Sequence, residues 1–257
     1  MSSAVRSTEF VQSLERGLSV ITTFTRENPA QTLSEIAERT GLTRAAARRF
    51  LLTLRDLGYV QSDGRLFSLR PRVLELGYSY LASLPVWEIA RPHLEALADR
   101  VQETTSASVL DGSDIVFVAR VETKRIMSMT LGVGSRLPAW ATAMGRVLLA
   151  DVGADQLDEY FRKTSRAPLN ERTITDERRL REIIGETRTN GWTLVDQEVE
   201  QGVRSLAVPL RAPNGRTEAA LTVCSHAHRV SVERIVEEFL PLVAETSARV
   251  TGDIARR

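Results

Sequence analysis

The stretch TLSEIAERTGLTRAAARRFLLTLRDLGYVQSDGRLFSL, residues 32–69, decides the fold of the first part of this chain. Thr32 and Glu35 stand at capping-box spacing, so a helix starts near Leu33 with Leu33, Ile36 and Ala37 on one apolar face. Gly41 supplies the positive φ that ends a helix sharply, and Leu42 fills the angle behind it. Thr43 is a suitable N-cap for a second helix. In that helix Ala47, Phe50, Leu51, Leu54 and Leu57 recur at helical spacing and form a core stripe. Asp63-Gly64 then joins two short extended runs, residues 60–63 and 65–69, as a hairpin turn would. Helix, tight turn, second helix and hairpin in this order read as a winged helix-turn-helix.

The charges agree with that reading. Arg44, Ala45, Arg48 and Arg49 fall off the core stripe near the start of the second helix, beside the Thr43 cap. A recognition helix meets base edges in the DNA major groove from that end, and arginine can bind guanine in bidentate fashion or pair with phosphate. Arg65 sits on the hairpin that would form the wing. Between residues 39 and 72 there are eight arginines and two acids, whereas the whole chain carries a net charge of +1, so positive charge is concentrated on the motif. Two blander readings compete: arginines that only solvate an exposed helix, and a winged helix used for protein contacts alone. The coincidence of cap, turn glycine, stripe and wing favours double-stranded operator DNA as partner.

With 257 residues, 42% of them hydrophobic and 26% charged, the chain can bury the cores of two domains and does not read as disordered. The one cysteine, Cys224, excludes an internal disulfide framework and fits a reducing compartment. The opening residues, MSSAVRSTEF, lack the apolar centre of a signal peptide, and no apolar run approaches membrane-spanning length, so a cytoplasmic location away from the membrane is expected.

Residues 8–26 read as a helix with Val11, Leu14, Leu18 and Ile21 on one face, expected to pack beneath the helix-turn-helix. Pro71 opens a further helix, residues 71–84, expected to link two domains; its apolar residues could equally make dimer contacts. A helix is expected over residues 89–104. Strand signals follow at 108–110, 115–121 and 126–131, with Asp111-Gly112-Ser113-Asp114 as a hairpin loop. Helices are expected over 142–150, 155–162 and 176–189, strands over 193–196, 205–211 and 217–225, and a closing helix over 231–256. Antiparallel hairpins with helices segregated around them give an α+β class. The expected division is residues 1–70 for DNA binding, 71–84 as linker and 85–257 as the second domain.

The second domain shows no nucleophile elbow, P-loop or zinc-protease motif, and Gly132-Val133-Gly134 is a poor dinucleotide fingerprint. Cys224, His226 and His228 would share one face of a continuing strand. They could bind zinc, or the sulfur could act as a nucleophile beside a histidine. The competing reading, in which Cys224 ends a buried strand and the histidines begin a loop, is preferred because a fourth ligand is not apparent nearby. No catalytic residue, metal or cofactor is therefore expected.

The chain as a whole resembles the IclR family of bacterial transcription regulators, most specifically in GVGSRLPAWATAMGRVLLA at residues 132–150 and GVRSLAVPL at 202–210. With FVQSLERGLSVI at residues 10–21, these segments look like the subgroup that controls the protocatechuate and β-ketoadipate branch of aromatic catabolism. The resemblance implies a winged N-terminal domain, a linker helix, and a C-terminal GAF-like α/β domain that binds a small effector and oligomerises. By motif, it places Ala143 and Met144 where a loop backbone meets the effector, Asp196 at an acidic position, and Ser205, Thr222 and Cys224 on the facing sheet. It implies a small carboxylate effector (β-ketoadipate, protocatechuate or 4-hydroxybenzoate) and a homodimer or tetramer. Asp196 is awkward beside an acid. Arg136 and Arg204 are candidate counter-charges.

Overall fold

The structure is a computed structural model that describes residues 9–82, 85–123, 131–212 and 214–256. The chain divides into two compact units, residues 1–81 and 82–257.

In the first unit α1 (Gln12–Thr22) is followed by β1 (Ala30–Thr32), α2 (Leu33–Thr40), α3 (Arg44–Asp56), β2 (Val60–Ser62) and β3 (Leu66–Leu69). A 3₁₀ turn at Pro71–Val73 leads into α4 (Leu74–Ala82). The local signals fold as their chemistry dictates. The Thr32 hydroxyl accepts from the Glu35 amide while the Glu35 carboxylate accepts from the Thr32 amide, closing the capping box. Gly41 takes φ +66° and ends α2, and the Leu42 amide returns to the Ala37 carbonyl. The Thr43 hydroxyl accepts from the Ala46 amide at 3.2 Å and opens α3. Val20, Ile36, Leu51, Leu54 and Val60 form the buried centre.

Several expectations shift. The first helix spans Gln12–Thr22, shorter than residues 8–26, of which residue 8 lies outside the described residues. Most of its expected inward face points out: Val11, Leu14 and Leu18 are exposed, Ile21 packs against the core half-buried, and Val20 is the residue that enters it. Leu57 is likewise exposed, because α3 ends at Asp56 and Leu57 is its C-cap. The wing strands are Val60–Ser62 and Leu66–Leu69, since the Asp63 carboxylate accepts from the Arg65 and Leu66 amides and takes 63–65 into the turn. A third strand, β1, pairs antiparallel with β3, giving the order β1-β3-β2. It carries no alternating apolar pattern. Its anchor is the buried Gln31 amide, which donates to the Thr23 carbonyl at 2.9 Å.

The second unit begins with α5 (Pro85–Val101) and the hairpin β4 (Thr104–Asp111)/β5 (Asp114–Val121). Then come β6 (Arg136–Pro138), a 3₁₀ turn Ala139–Ala141, α6 (Ala143–Ala150), α7 (Ala154–Lys163) and α8 (Glu177–Asn190). The strands β7 (Thr193–Asp196), β8 (Val203–Arg211) and β9 (Thr217–His226) follow. The chain closes with α9 (Val232–Arg234), a π-helical stretch Ile235–Phe239, and α10 (Leu240–Ala255). The strands form one antiparallel sheet in the order β6-β5-β4-β9-β8-β7. An antiparallel sheet with helices on its faces is the α+β architecture expected.

β4 starts at Thr104, earlier than the sequence suggests, because its first residues (TTSAS) are small, polar and buried between neighbouring strands. β6 is not marked in the sequence at all. The expected strand over 126–131 lies outside the described residues except for Leu131.

Faces of the sheet follow from register. The Thr105 hydroxyl donates to the Leu94 carbonyl of α5, so odd residues of β4, with Val223 beside them, face the α5/α10 layer. Thr222, Cys224 and their partners Ala207 and Ser205 face the other way, toward α6. A β-bulge between Ala107 and Ser108 resets β5 against β4: Ser106 pairs with Arg120, whereas Ser108 pairs with Phe117. Phe117 and Arg120, three residues apart, therefore lie on the same face as Thr222.

Candidate functional site

On the α6 side of the sheet, small residues leave a hollow. Ser106, Ser108, Ala207, Ala220 and Thr222 are fully buried and too short to fill it. The N-terminus of α6 closes over this hollow. Gly145 lets the start of α6 pack against the turn before it: a Cβ there would lie 2.0 Å from the Ala139 carbonyl oxygen. The Thr142 hydroxyl caps α6 by accepting from the Gly145 amide at 3.0 Å. The preceding turn is pinned by Tyr160, whose hydroxyl accepts from the Trp140 amide and donates to the Ser113 carbonyl. Burial pushes the Tyr160 phenol up to about 12, so it stays a neutral donor.

The resulting cup encloses a cavity of about 30 Å³. Ala143, Met144, Ser205, Thr222 and Cys224 all line it, five of the six residues named from the sequence. Leu131, Leu137, Phe117 and Val203 supply apolar wall. The Ser205 hydroxyl lies 3.2 Å from the Cys224 sulfur, and the Thr222 hydroxyl donates to the Leu206 carbonyl. Burial pushes the Cys224 thiol up, partly opposed by the Ser205 hydrogen bond and by Arg120.

Asp196 is not in the cup. It ends β7, forms an ion pair with Arg204 at 2.7 Å, and lines a separate groove beside α8. Register accounts for this: Asp196 pairs with Arg204 on β8, one residue out of phase with Ser205. Burial alone would raise the Asp196 carboxyl, but the Arg204 hydrogen bonds outweigh it and hold it below the usual carboxylate range. Arg204 is thereby spent as a counter-charge, and it also donates to the Ala227 and Val230 carbonyls. Arg136 is engaged with Asp111 and Asp114 on the surface.

Two features went unread in the sequence. Arg120 lines the cup with its side chain 6% exposed. Strand alternation alone would put it opposite Phe117, so no sequence signal marks it. The second is the buried pair Arg146–Glu198, with bonds of 2.9 and 2.6 Å. Arg146 also donates to the Trp140 carbonyl, and Glu198 accepts from the Ile174 amide. The pair ties α6 to the turn bearing Val199 and Glu200, which line the cup from the other side.

Cys224, His226 and His228 do not assemble into a metal centre. The rings of His226, the last residue of β9, and of His228 beyond it lie tilted at 5.2 Å, while Cys224 is buried against Ser205. Among the described residues no group of three or more His, Cys, Asp or Glu side chains is placed to hold a metal ion. Among the same residues no helix is long and apolar enough to cross a membrane.

In the first unit Thr43, Arg44, Ala45, Arg48 and Arg49 are exposed along the opening turns of α3. Arg44 and Arg48, four residues apart, share one helix face. None of the three arginines makes an ion pair among the described residues. Arg65 is exposed at the wing turn, after Gly64 at φ +99°. The Leu66 and Arg65 amides hold the Asp63 carboxyl below its ordinary value, which closes that turn.

Comparison with known proteins agrees with both halves. The family model described as the IclR helix-turn-helix domain matches residues 13–64, and that described as the bacterial transcriptional regulator IclR C-terminal matches residues 78–251. The chain is 42% identical over 240 residues to the Pca regulon regulatory protein of Pseudomonas putida, covering 93% of this chain and 82% of that one. A crystal structure of a transcriptional regulator from Rhodococcus sp. RHA1 superimposes with a TM-score of 0.85 at 49% identity, covering 96% of this chain and 99% of that one. An IclR homologue from Microbacterium hydrocarbonoxydans, crystallised with 4-hydroxybenzoate, matches with a TM-score of 0.84 at 26% identity, over 95% and 100% of the two chains.

Proposed function

Because the chain belongs to the IclR family of bacterial transcriptional regulators, we propose that it is a ligand-gated DNA switch for aromatic-acid catabolic genes. Its effector is a small carboxylate of the 4-hydroxybenzoate, protocatechuate or β-ketoadipate class, bound in the α6 cup. The observation that carries this reading is the convergence of Ala143, Met144, Ser205, Thr222 and Cys224 on one mostly apolar hollow with a few polar groups. That is the composition a small-ligand site needs. The relatives add the chemistry: one governs a Pca regulon and another was crystallised with 4-hydroxybenzoate.

Residues 1–70 act as the DNA-binding domain, with Arg44, Arg48 and Arg49 on α3 and Arg65 on the wing as its contacts. Residues 71–84 transmit the signal, and 85–257 hold the effector and oligomerise. The protein works in the cytoplasm as a homodimer or tetramer. Exposed Val11, Leu14 and Leu18 on and before α1, with Leu74 and Tyr78 on α4, support pairing. Two winged units then read half-sites about one DNA turn apart or a multiple of it. An effector that alters DNA affinity must itself bind more or less tightly when DNA is present.

The test is binding of the purified chain to DNA from upstream of its own gene and its neighbours, at one stated salt concentration, with and without each of the three acids. Specific binding shifted several-fold by one acid is the expected result. Specific binding indifferent to all three removes the effector class, and absence of specific binding removes the reading.

A further inference from the structure

Beside α8 and the outer edge of β7 lies a groove of about 450 Å³, against about 30 Å³ for the α6 cup. Ordinary small-ligand clefts hold about 300–1,000 Å³. The wall of the groove is rich in donors. Arg146 reaches it with a side chain only 1% exposed. Its Nε donates to the Trp140 carbonyl, and each Nη donates to Glu198. Those bonds use three of the five N–H groups of a guanidinium, and the other two have no partner among the described residues. Unmet donors on a buried guanidinium are costly, so an acceptor in the groove is favoured.

Further donors border the same space. β7 is the last strand of its sheet. The Gln197 amide donates to the Val203 carbonyl at 2.8 Å, which fixes the phase of the pairing. Val195 therefore turns its backbone groups to β8, while Leu194 and Asp196 turn theirs to the open edge. The Trp192 indole N–H has no hydrogen-bond partner among the described residues. Arg172 is held through its backbone amide, which donates to the Asn170 side-chain oxygen at 2.8 Å. Its guanidinium makes no ion pair or hydrogen bond among the described residues.

The acids in the wall are already engaged. Glu198 is paired with Arg146, Asp196 with Arg204, and Glu186 stands 3.4 Å from Arg179. With Arg172 the groove and its ion pairs hold four guanidiniums against three carboxylates, and Arg172 is the cation in excess. The rest of the wall is apolar: half-buried Trp192, Ile174 and Leu194, and buried Ile183. An aromatic and aliphatic wall with surplus donors and one surplus cation suits a flat apolar body that carries one negative head.

We propose that this groove is a second small-ligand site, separate from the α6 cup, for a one-ring aromatic carboxylate. The ring lies against Trp192 and its aliphatic neighbours. The carboxylate takes Arg172, whose planar fork matches it in bidentate fashion, together with the spare donors of the wall. The two spaces share a wall, because Glu198 of the groove precedes Val199 of the cup. The groove keeps its donors and its excess charge whatever the cup binds.

The experiment titrates the full-length chain with benzoate, and with benzamide as its neutral counterpart, by calorimetry and by tryptophan emission. It compares wild type, Arg172→Gln, Arg172→Lys, Trp192→Leu and Ser205→Leu, the last of which fills the cup and leaves the groove alone. The three groove substitutions are also made in the Ser205→Leu chain, and melting checks that each variant folds. Ser205→Leu is expected to bind benzoate at one site per chain and to change its tryptophan emission on binding. In that chain Arg172→Gln weakens benzoate about tenfold and leaves benzamide unchanged, and Arg172→Lys recovers part of the loss. Trp192→Leu removes the emission change along with most of the affinity. In the chain with an intact cup, Arg172→Gln weakens one binding step by the same factor, which keeps the test open if Ser205→Leu melts early.

Benzoate that binds wild type but not a folded Ser205→Leu chain overturns the second site and leaves the cup as the place where acids bind. Benzoate bound by neither chain overturns it as well. Binding that persists in Ser205→Leu but is indifferent to Arg172→Gln, or benzamide bound as tightly as benzoate, overturns the carboxylate assignment.

Discussion

Removing Glu198 tests how the cup is held open. Glu198→Ala leaves the Arg146 guanidinium, 1% exposed, without its carboxylate. Breaking one side of such a buried pair costs about 3–5 kcal/mol, since the charge can neither be paired nor reach water. Arg146→Met with Glu198→Leu removes both charges. It leaves the Trp140 carbonyl and the Ile174 amide short of a partner, at about 1 kcal/mol each. The double variant should therefore lose only about 2 kcal/mol and be more stable than Glu198→Ala. Urea unfolding followed by tryptophan emission reads this selectively, because Trp87, Trp140 and Trp192 all belong to the second unit. The melting temperature of that unit should fall about 6–20 °C in Glu198→Ala, taking 2–4 °C per kcal/mol. Effector affinity should fall with it, because Val199 and Glu200 lose their anchor. A loss below about 1 kcal/mol in Glu198→Ala, or a double variant as unstable as the sum of its parts, would refute the reasoning.

Three further outcomes are expected. Arg48→Ala should weaken specific operator binding by about 1–3 kcal/mol, and Arg65→Ala should weaken all sequences alike and flatten the salt dependence of binding; filter binding across a salt series separates the two. Asp196→Asn should leave effector affinity at pH 7 unchanged. Because the folded carboxyl lies below its unfolded value, its pairing stabilises above about pH 4 and is lost as pH falls through the folded pKa, so the variant's stability–pH profile should be flatter below pH 4. Cys224, buried with its thiol pushed up, should react with a disulfide reagent far more slowly in the native chain than in urea, and more slowly again with effector bound. Native labelling at the unfolded rate would show that the sheet face is open.

Sequence pattern resolved the first unit well because its signals are local. The capping box at Thr32 and Glu35, the positive φ at Gly41, the Thr43 cap and the Asp63-Gly64 turn each act within a few residues, so the folded structure repeats them. The exposure of Leu14, Leu18 and Leu57 escaped that logic. An apolar stripe says that a face wants covering, and it does not say whether the same chain covers it. In the second unit the cup residues near α6 and on β8 and β9 were reachable through family-like segments, whereas their arrangement was not.

The amino-acid sequence by itself determined where α2 and α3 begin and where α2 ends, which helix carries the arginines, and which short segments belong to a ligand-binding domain. Tertiary structure alone decided which side chains share the cup. The bulge at Ala107/Ser108 shifts strand parity and turns Arg120 to the side of Phe117. The pairing of β7 with β8 turns Asp196 toward Arg204 and out of the site. Arg146 finds Glu198 52 residues away. Strand faces alternate with a period of two, so a single extra residue, set by the partner strand, reverses every assignment beyond it.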